Sequence, residues 1–237
     1  MLETSGTRIL ERLADDDLLL DVGGWAKPFW RADWVIDLLP YETRGHYADA
    51  SEPSPPERFS AATWVQRDVC DREPWPFDDD QFAFAMCSHT LEDVRDPVWV
   101  CSELCRVARA GYVEVPSRLE EQSWGVQGPW VGWGHHHWLI DITEGRIDFV
   151  FKPHILHGRR TDHFAPGFHA TLAPEDRVQC LWWEGRFAFE ERVFVGPGEI
   201  DRYLQDFVAR HLPPGQGPPA HPGRVARLVG RARRRWR

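Results

Sequence analysis

Short, almost wholly apolar runs set off by turn residues give this chain its pattern. Leu18-Leu-Leu-Asp-Val-Gly-Gly24 and Trp34-Val-Ile-Asp37 each read as a buried strand ending in an aspartate, close enough in sequence to be neighbours in a parallel sheet. Thr63–Asp68 predicts a third strand, Gln81–Cys87 a fourth and Gly111–Pro116 a fifth. Helical spacing occupies the intervals. Residues 4–17 predict a capped helix with Ile9, Leu10 and Leu13 on one face. Asp96-Pro97 starts another, with Val98, Cys101, Leu104, Cys105 and Ala108 facing inward and Gly111 closing it. Strands alternating with helices or crossovers predict an α/β fold with a doubly wound, mostly parallel, Rossmann-like sheet.

From about residue 119 the pattern changes. Trp138–Thr143 and Arg146–Phe151 flank Glu144-Gly145 and predict a β-hairpin appended to the sheet. A strand over 187–195 and a helix from Pro197 to about His211 follow. No composition break marks a domain boundary in residues 1–212, so one elaborated domain is expected there. Residues 38–56, rich in Ser and Pro at their end, read as a long loop, and 213–223 as a Pro/Gly linker. The tail, 224–237, carries apolar residues on one helical side among arginines, the form of a helix lying on an anionic membrane surface or of a solvated disordered segment.

Charge and composition narrow the function. The tail holds seven arginines and no acid, so the overall charge of −9 leaves the first 223 residues at −16. An acidic body disfavours sequence-independent nucleic-acid binding. Five cysteines, an odd number without a Cys-x-x-Cys pair, read as reduced thiols. No apolar run is long enough to cross a bilayer and no signal-peptide pattern is present, so a cytoplasmic protein is expected, with peripheral membrane contact through the tail as a further expectation. Thirteen tryptophans and thirteen phenylalanines are more than a core alone needs, and some are expected to line a pocket.

Strand ends carry the candidate chemistry. Paired glycines let backbone amides approach a ligand closely, and a carboxylate ending the next strand can accept two hydrogen bonds from a ribose diol. Gly23, Gly24 and Asp37 therefore read as part of an adenosine-binding crevice. Asp21 and Asp68 taken singly read as a cap or turn aspartate. Histidines cluster later, at His135-His136-His137, at His154 and His157, and at His163 and His169. A metal is not expected, because adjacent histidines on a strand point to opposite faces and no His-Glu-x-x-His motif occurs. A metal-dependent enzyme built on these histidines stays an alternative.

The order of elements and motifs resembles the class I S-adenosylmethionine-dependent methyltransferases of the methyltransferase type 11 branch. The resemblance covers residues 17 to about 118 and rests on Leu20-Asp-Val-Gly-Gly24, Asp37, Arg67-Asp68-Val69 with Pro74–Asp78, Cys87-Ser-His-Thr-Leu-Glu-Asp-Val94 and Glu103–Val107. It implies S-adenosylmethionine as cofactor, with Asp21, Gly23 and Gly24 on its methionine and ribose side and Asp37 on the ribose hydroxyls. It further implies Asp68 and Val69 at the adenine, and Cys87 with Ser88 under the sulfonium. The chain departs from the family where Trp25-Ala-Lys-Pro28 replaces the third glycine and the helix after it. A proton acceptor is expected among His135, His136 and His89, and acceptor contacts at Glu92, Glu114, Ser117, Arg118, Trp138, His154 and His157. The acceptor is expected to be an oxygen, less readily a nitrogen, of a small molecule or saccharide; a non-catalytic scaffold that kept the sheet is the competing class.

Overall fold

A computed structural model describes residues 1–47 and 55–212. Most of the Ser/Pro-rich stretch, the linker and the Arg-rich tail lie outside the described residues, and with them the expectation of membrane contact. Six strands form the main sheet: β1 (Leu19–Val22), β2 (Trp34–Asp37), β3 (Trp64–Gln66), β4 (Phe84–Ser88), β5 (Ala110–Pro116) and β8 (Val178–Glu184). Their spatial order is β3-β2-β1-β4-β5-β8, the first five parallel and β8 antiparallel to β5. β8 has no counterpart among the strands expected from sequence.

Side-chain alternation divides the core between the two faces of this sheet. Leu20, Val22, Ala85, Cys87, Val113 and Val115 meet helix α2 (Pro97–Val107) through Val100, Cys101, Leu104 and Cys105. On the other face Leu19, Val35, Phe84, Met86 and Tyr112 pack with Ile9 of helix α1 (Glu3–Arg12) and with Phe29. α1 stops at Arg12, short of the expected residue 17, and the Leu13 amide caps back to the Leu10 carbonyl. α2 begins as expected, with Asp96 accepting from the Trp99 amide at 3.0 Å and Pro97 in the first turn. At Gly111 a Cβ would stand 2.3 Å from the Ala85 carbonyl and 2.5 Å from the Trp183 ring, so only glycine lets β8's indole cross β5 there.

The expected hairpin forms as β6 (Trp138–Thr143) and β7 (Arg146–Phe151) around Glu144 and Gly145, both at positive φ as a two-residue turn requires. It is not joined to the main sheet. With β9 (Ala188–Glu191), parallel to β7, it makes a separate three-stranded sheet whose Trp138, Ile140, Ile147 and Phe149 share a cluster with α2. The strand expected over 187–195 shortens to those four residues.

The chain divides into two compact units interleaved along the sequence. Unit 1 holds residues 1–118, 135–152 and 173–193, hence both sheets with α1 and α2. Among the described residues unit 2 holds 119–134, 153–172 and 194–212. It contains most of the short helix α3 (Arg118–Glu121) and all of α4 (Glu199–His211), and packs Phe164, stacked on Phe168, against Phe207 and Val208. Buried Gln122 ties it together, its amide donating to the Asp162 carbonyl at 2.8 Å. No helix among the described residues is long and apolar enough to cross a membrane.

Candidate active site

In the order β3-β2-β1-β4-β5 the chain turns back between β1 and β4, and side chains beyond the carboxyl ends of those strands face the crevice where open α/β sheets hold ligands. A cleft of 360 Å³ lined by Arg12, Leu13, Asp17 and Glu184 lies at the opposite edge and takes no part.

β1 runs into Gly23, whose φ of +77° favours glycine and whose amide donates to the Ile36 carbonyl at 2.9 Å. The space left by the missing side chains is used by the protein itself. A Cβ on Gly23 would lie 2.1 Å from Thr90 Oγ1, and one on Gly24 2.4 Å from Asp21 Oδ2. Asp21 is buried and accepts from the Phe29 amide at 2.9 Å. Burial pushes its carboxyl up to about 7, against the pull of that amide, and the nearby Asp37 charge adds to the rise. Asp37, at the end of β2, accepts from the Leu39 amide at 2.8 Å and the Trp25 amide at 3.0 Å. Burial raises its pKa as well, against those amides. No helix separates β1 from β2; Pro28 and the turn in which Ala32 donates to the Phe29 carbonyl carry the chain across instead.

At the end of β3, Asp68 accepts from the Cys70 amide at 2.9 Å and is ion-paired with Arg95. Burial would raise its pKa, but the Arg95 guanidinium outweighs this and holds it below the ordinary value. Val69 is buried, and its carbonyl accepts from the Trp75 indole at 3.1 Å. Both predicted adenine-side residues are thus tied to the protein, and Arg95, which sequence reasoning missed, covers Asp68.

β4 and β5 end in a charged cluster. Cys87 is fully buried, its thiol pushed up by burial, while Ser88 points the other way and donates to Glu114 Oε1 at 3.4 Å. His89, at a φ of +53°, places Nε2 at 3.1 Å from Glu114 Oε1 and Nδ1 at 3.3 Å from Glu92 Oε1. Burial works against its charge, but the two carboxylates prevail and raise the imidazole to about 9. Glu114 is lowered to about 2, because His89, the Tyr112 hydroxyl and the Leu2 amide all bond its charged form against the cost of burial. His89 is therefore an imidazolium at neutral pH and has no lone pair with which to act as a base. Glu92 is 1% exposed; its Oε1 is ion-paired with His89, and no donor among the described residues bonds Oε2.

The remaining predicted residues are distributed more widely. Ser117 donates to the Asp176 carbonyl at 2.6 Å, and Arg118 pairs with Asp141 of β6 at 3.0 Å. Trp138 is a core residue whose indole donates to the Val94 carbonyl at 2.8 Å. His135 and His136 stand before β6 beside Asp93. His154 and His157 belong to unit 2, where His157 Nδ1 accepts from the Val131 amide at 3.2 Å. The structure thus gathers Asp21, Gly23, Gly24, Asp37, Ser88, His89, Glu92 and Glu114 at the carboxyl edge of one sheet. Thr90 and Tyr112 join them without a signal in the sequence beyond their place in a strand-end block.

Strand order, an antiparallel sixth strand beside β5 and a crevice edged by Asp37 and the paired glycines define a Rossmann-like α/β protein. No family profile matches the chain, and none of the curated proteins matches it. Among solved structures it is similar to an S-adenosylmethionine-dependent methyltransferase from Mesorhizobium loti, at 15% identity over 62% of each chain with a TM-score of 0.35. It is also similar to a methyltransferase from Aquifex aeolicus, at 16% identity over 52% of this chain and 69% of that one with a TM-score of 0.35. A third is the cyclase SpnF, at 19% identity over 54% of this chain and 49% of that one with a TM-score of 0.38. The chain spans about half the length of several structures it matches.

Proposed function

We propose that unit 1 binds S-adenosylmethionine at the carboxyl ends of β1, β2 and β4 and directs its methyl group to an oxygen of a small-molecule or saccharide acceptor. The observation that carries this reading is the crevice itself, where Asp37 ends β2 beside the paired glycines and the buried Glu92 carboxylate, ion-paired with His89 through Oε1, keeps Oε2 without a donor among the described residues. A buried carboxylate oxygen left without a donor is costly, and a cationic ligand offsets that cost. S-adenosylmethionine carries two positive groups, an ammonium and a sulfonium. When bound, it supplies a methyl carbon that is already electrophilic.

The chain's own residues then have distinct tasks. Asp37 is held by two backbone amides with lone pairs left over, and accepts from the ribose hydroxyls. Asp21, near half-protonation at neutral pH, both accepts from the Phe29 amide and can donate toward the ligand. His89 joins Glu92 to Glu114 and fixes where the Glu92 carboxylate stands. Proton removal from an oxygen acceptor is assigned to the His135–His136 pair, since His89 is already protonated.

One observation favours a second reading, a scaffold that kept the sheet and lost the cofactor: the glycine turn is filled by Thr90 and Asp21, and no helix follows β1. Calorimetric titration with S-adenosylhomocysteine separates the two. Micromolar binding, weakened at least tenfold (about 1.4 kcal/mol) in Asp37→Ala, supports methyl transfer. Absence of binding by folded protein at millimolar ligand overturns it.

A further inference from the structure

Asp93 lies one residue beyond Glu92 in a closed turn, where the Thr90 carbonyl accepts from the Asp93 amide at 3.1 Å and the Val94 amide at 3.2 Å. His135 and His136 arrive from forty residues downstream and precede β6, so the strand alternation that would send their rings to opposite faces does not apply to them. The two segments are fastened on both sides of Asp93. The His137 amide donates to the Glu92 carbonyl at 2.7 Å, and the Trp138 indole donates to the Val94 carbonyl at 2.8 Å. The residue after β7 braces the same stretch, the Lys152 amide donating to the His137 carbonyl at 2.8 Å.

Within this frame Nε2 of His135 stands 4.0 Å, and Nε2 of His136 3.9 Å, from the same oxygen, Asp93 Oδ1. One ligand atom from each of the three residues lies within 4.8 Å of the others. A hydrogen bond would draw nitrogen and oxygen to about 3 Å. Around a tetrahedral zinc with bonds of about 2.0–2.1 Å, neighbouring donor atoms are about 3.3 Å apart, so movements of about half an ångström close this set on an ion. Two imidazoles and one carboxylate are also the donor set of catalytic zinc and non-haem iron sites, which keep further positions open. Asp93 and His135 are half exposed, which provides an entry path.

We propose that Asp93, His135 and His136 bind one divalent transition-metal ion of the zinc or iron(II) type, with open positions for water or for an oxygen of the acceptor. The ion would take the lone pairs through which either histidine acts as a base; with it bound, the base role passes to solvent water, which would receive the proton of an acceptor hydroxyl acidified by the metal. That use rests on the methyl-transfer reading; the binding itself does not.

The test uses the full chain without a histidine tag, stripped with chelator and titrated with Co²⁺ and Zn²⁺. One equivalent per chain, with visible Co²⁺ absorption bands and at least hundredfold weaker binding in the His135→Gln/His136→Gln pair and in Asp93→Asn, supports the site. In the unaltered protein one equivalent of Zn²⁺ is expected to shift the ring ¹⁵N resonances of His135 and His136. Substoichiometric binding, unchanged affinity in the variants, or shifts confined to other histidines overturns it, and the ¹⁵N result decides even where a variant fails to fold. S-adenosylhomocysteine titrated into the same samples keeps the two readings apart. Metal binding without nucleoside binding upholds this site and overturns the cofactor reading, and the reverse result overturns this site.

Discussion

Replacing His89 by Gln removes the cation from between Glu92 and Glu114, and its consequence can be worked from the structure. The imidazole is raised from 6.5 to about 9 by two carboxylates, 3.1 and 3.3 Å away, that overcome the opposing cost of burial. At about 1.36 kcal/mol per pH unit this is a gross preference of about 3 kcal/mol for the folded, charged form. The ring is 41% exposed, so solvent screening reduces it to on the order of 1–2 kcal/mol. A group whose folded pKa is raised contributes fully below its unfolded value and loses that contribution as pH rises through the folded one. The His89 contribution is therefore complete below about 6.5 and lost as pH climbs to about 9. Urea unfolding between pH 6 and 10 should show wild type and His89→Gln separated at pH 6 and converging above pH 9. Titration of the His89 ring by ¹H–¹⁵N NMR gives its pKa directly. A value at or below 6.5, or a constant separation across the range, would refute the argument.

Other outcomes follow from the same geometry. Asp21 is raised from 3.8 to about 7, so its burial destabilises the fold increasingly as pH rises through that window; Asp21→Asn should flatten the pH dependence and be the more stable protein at pH 8, by at most about 4 kcal/mol in denaturant titrations. Gly23→Ala meets Thr90 at 2.1 Å in a backbone that alanine disfavours, and should cost at least about 2 kcal/mol; Gly23→Ala combined with Thr90→Ala should recover the steric part and leave the strain of the positive φ. Leu104→Ala in the fully buried face of α2 should lower stability by about 2–5 kcal/mol. Arg95→Ala removes an exposed ion pair and should leave stability nearly unchanged, while Asp68 titrates at a higher pH than in wild type, as NMR of its carboxyl carbon would report.

Local pattern determined much of this protein. Leu19–Val22, Trp34–Asp37 and Phe84–Ser88 are strands because apolar runs of that length can be satisfied only between two covered faces, and Asp37 closes its strand as the aspartate at the end of the run. Asp96-Pro97 marks a helix start, and Glu144-Gly145 a hairpin turn, through backbone preferences that neighbours do not alter. Partnership is a different matter. The antiparallel pairing of Val178–Glu184 with β5 joins residues over sixty positions apart, and the β6–β7 hairpin takes β9 as its neighbour in place of the main sheet. An alternating strand presents the same hydrogen-bonding edge to any partner, so periodicity is silent on which one it meets.

The candidate site divides along the same line. Residue types and their places at strand ends pointed to Gly23, Gly24, Asp37, His89 and Glu114. Only the folded chain sets Thr90 and Asp21 into the glycine turn, makes His89 a bridge between two carboxylates, and turns His135 and His136 onto Asp93. Each of those facts depends on distances between residues far apart in the chain, and charge, pKa and metal affinity follow such distances, not order along the sequence.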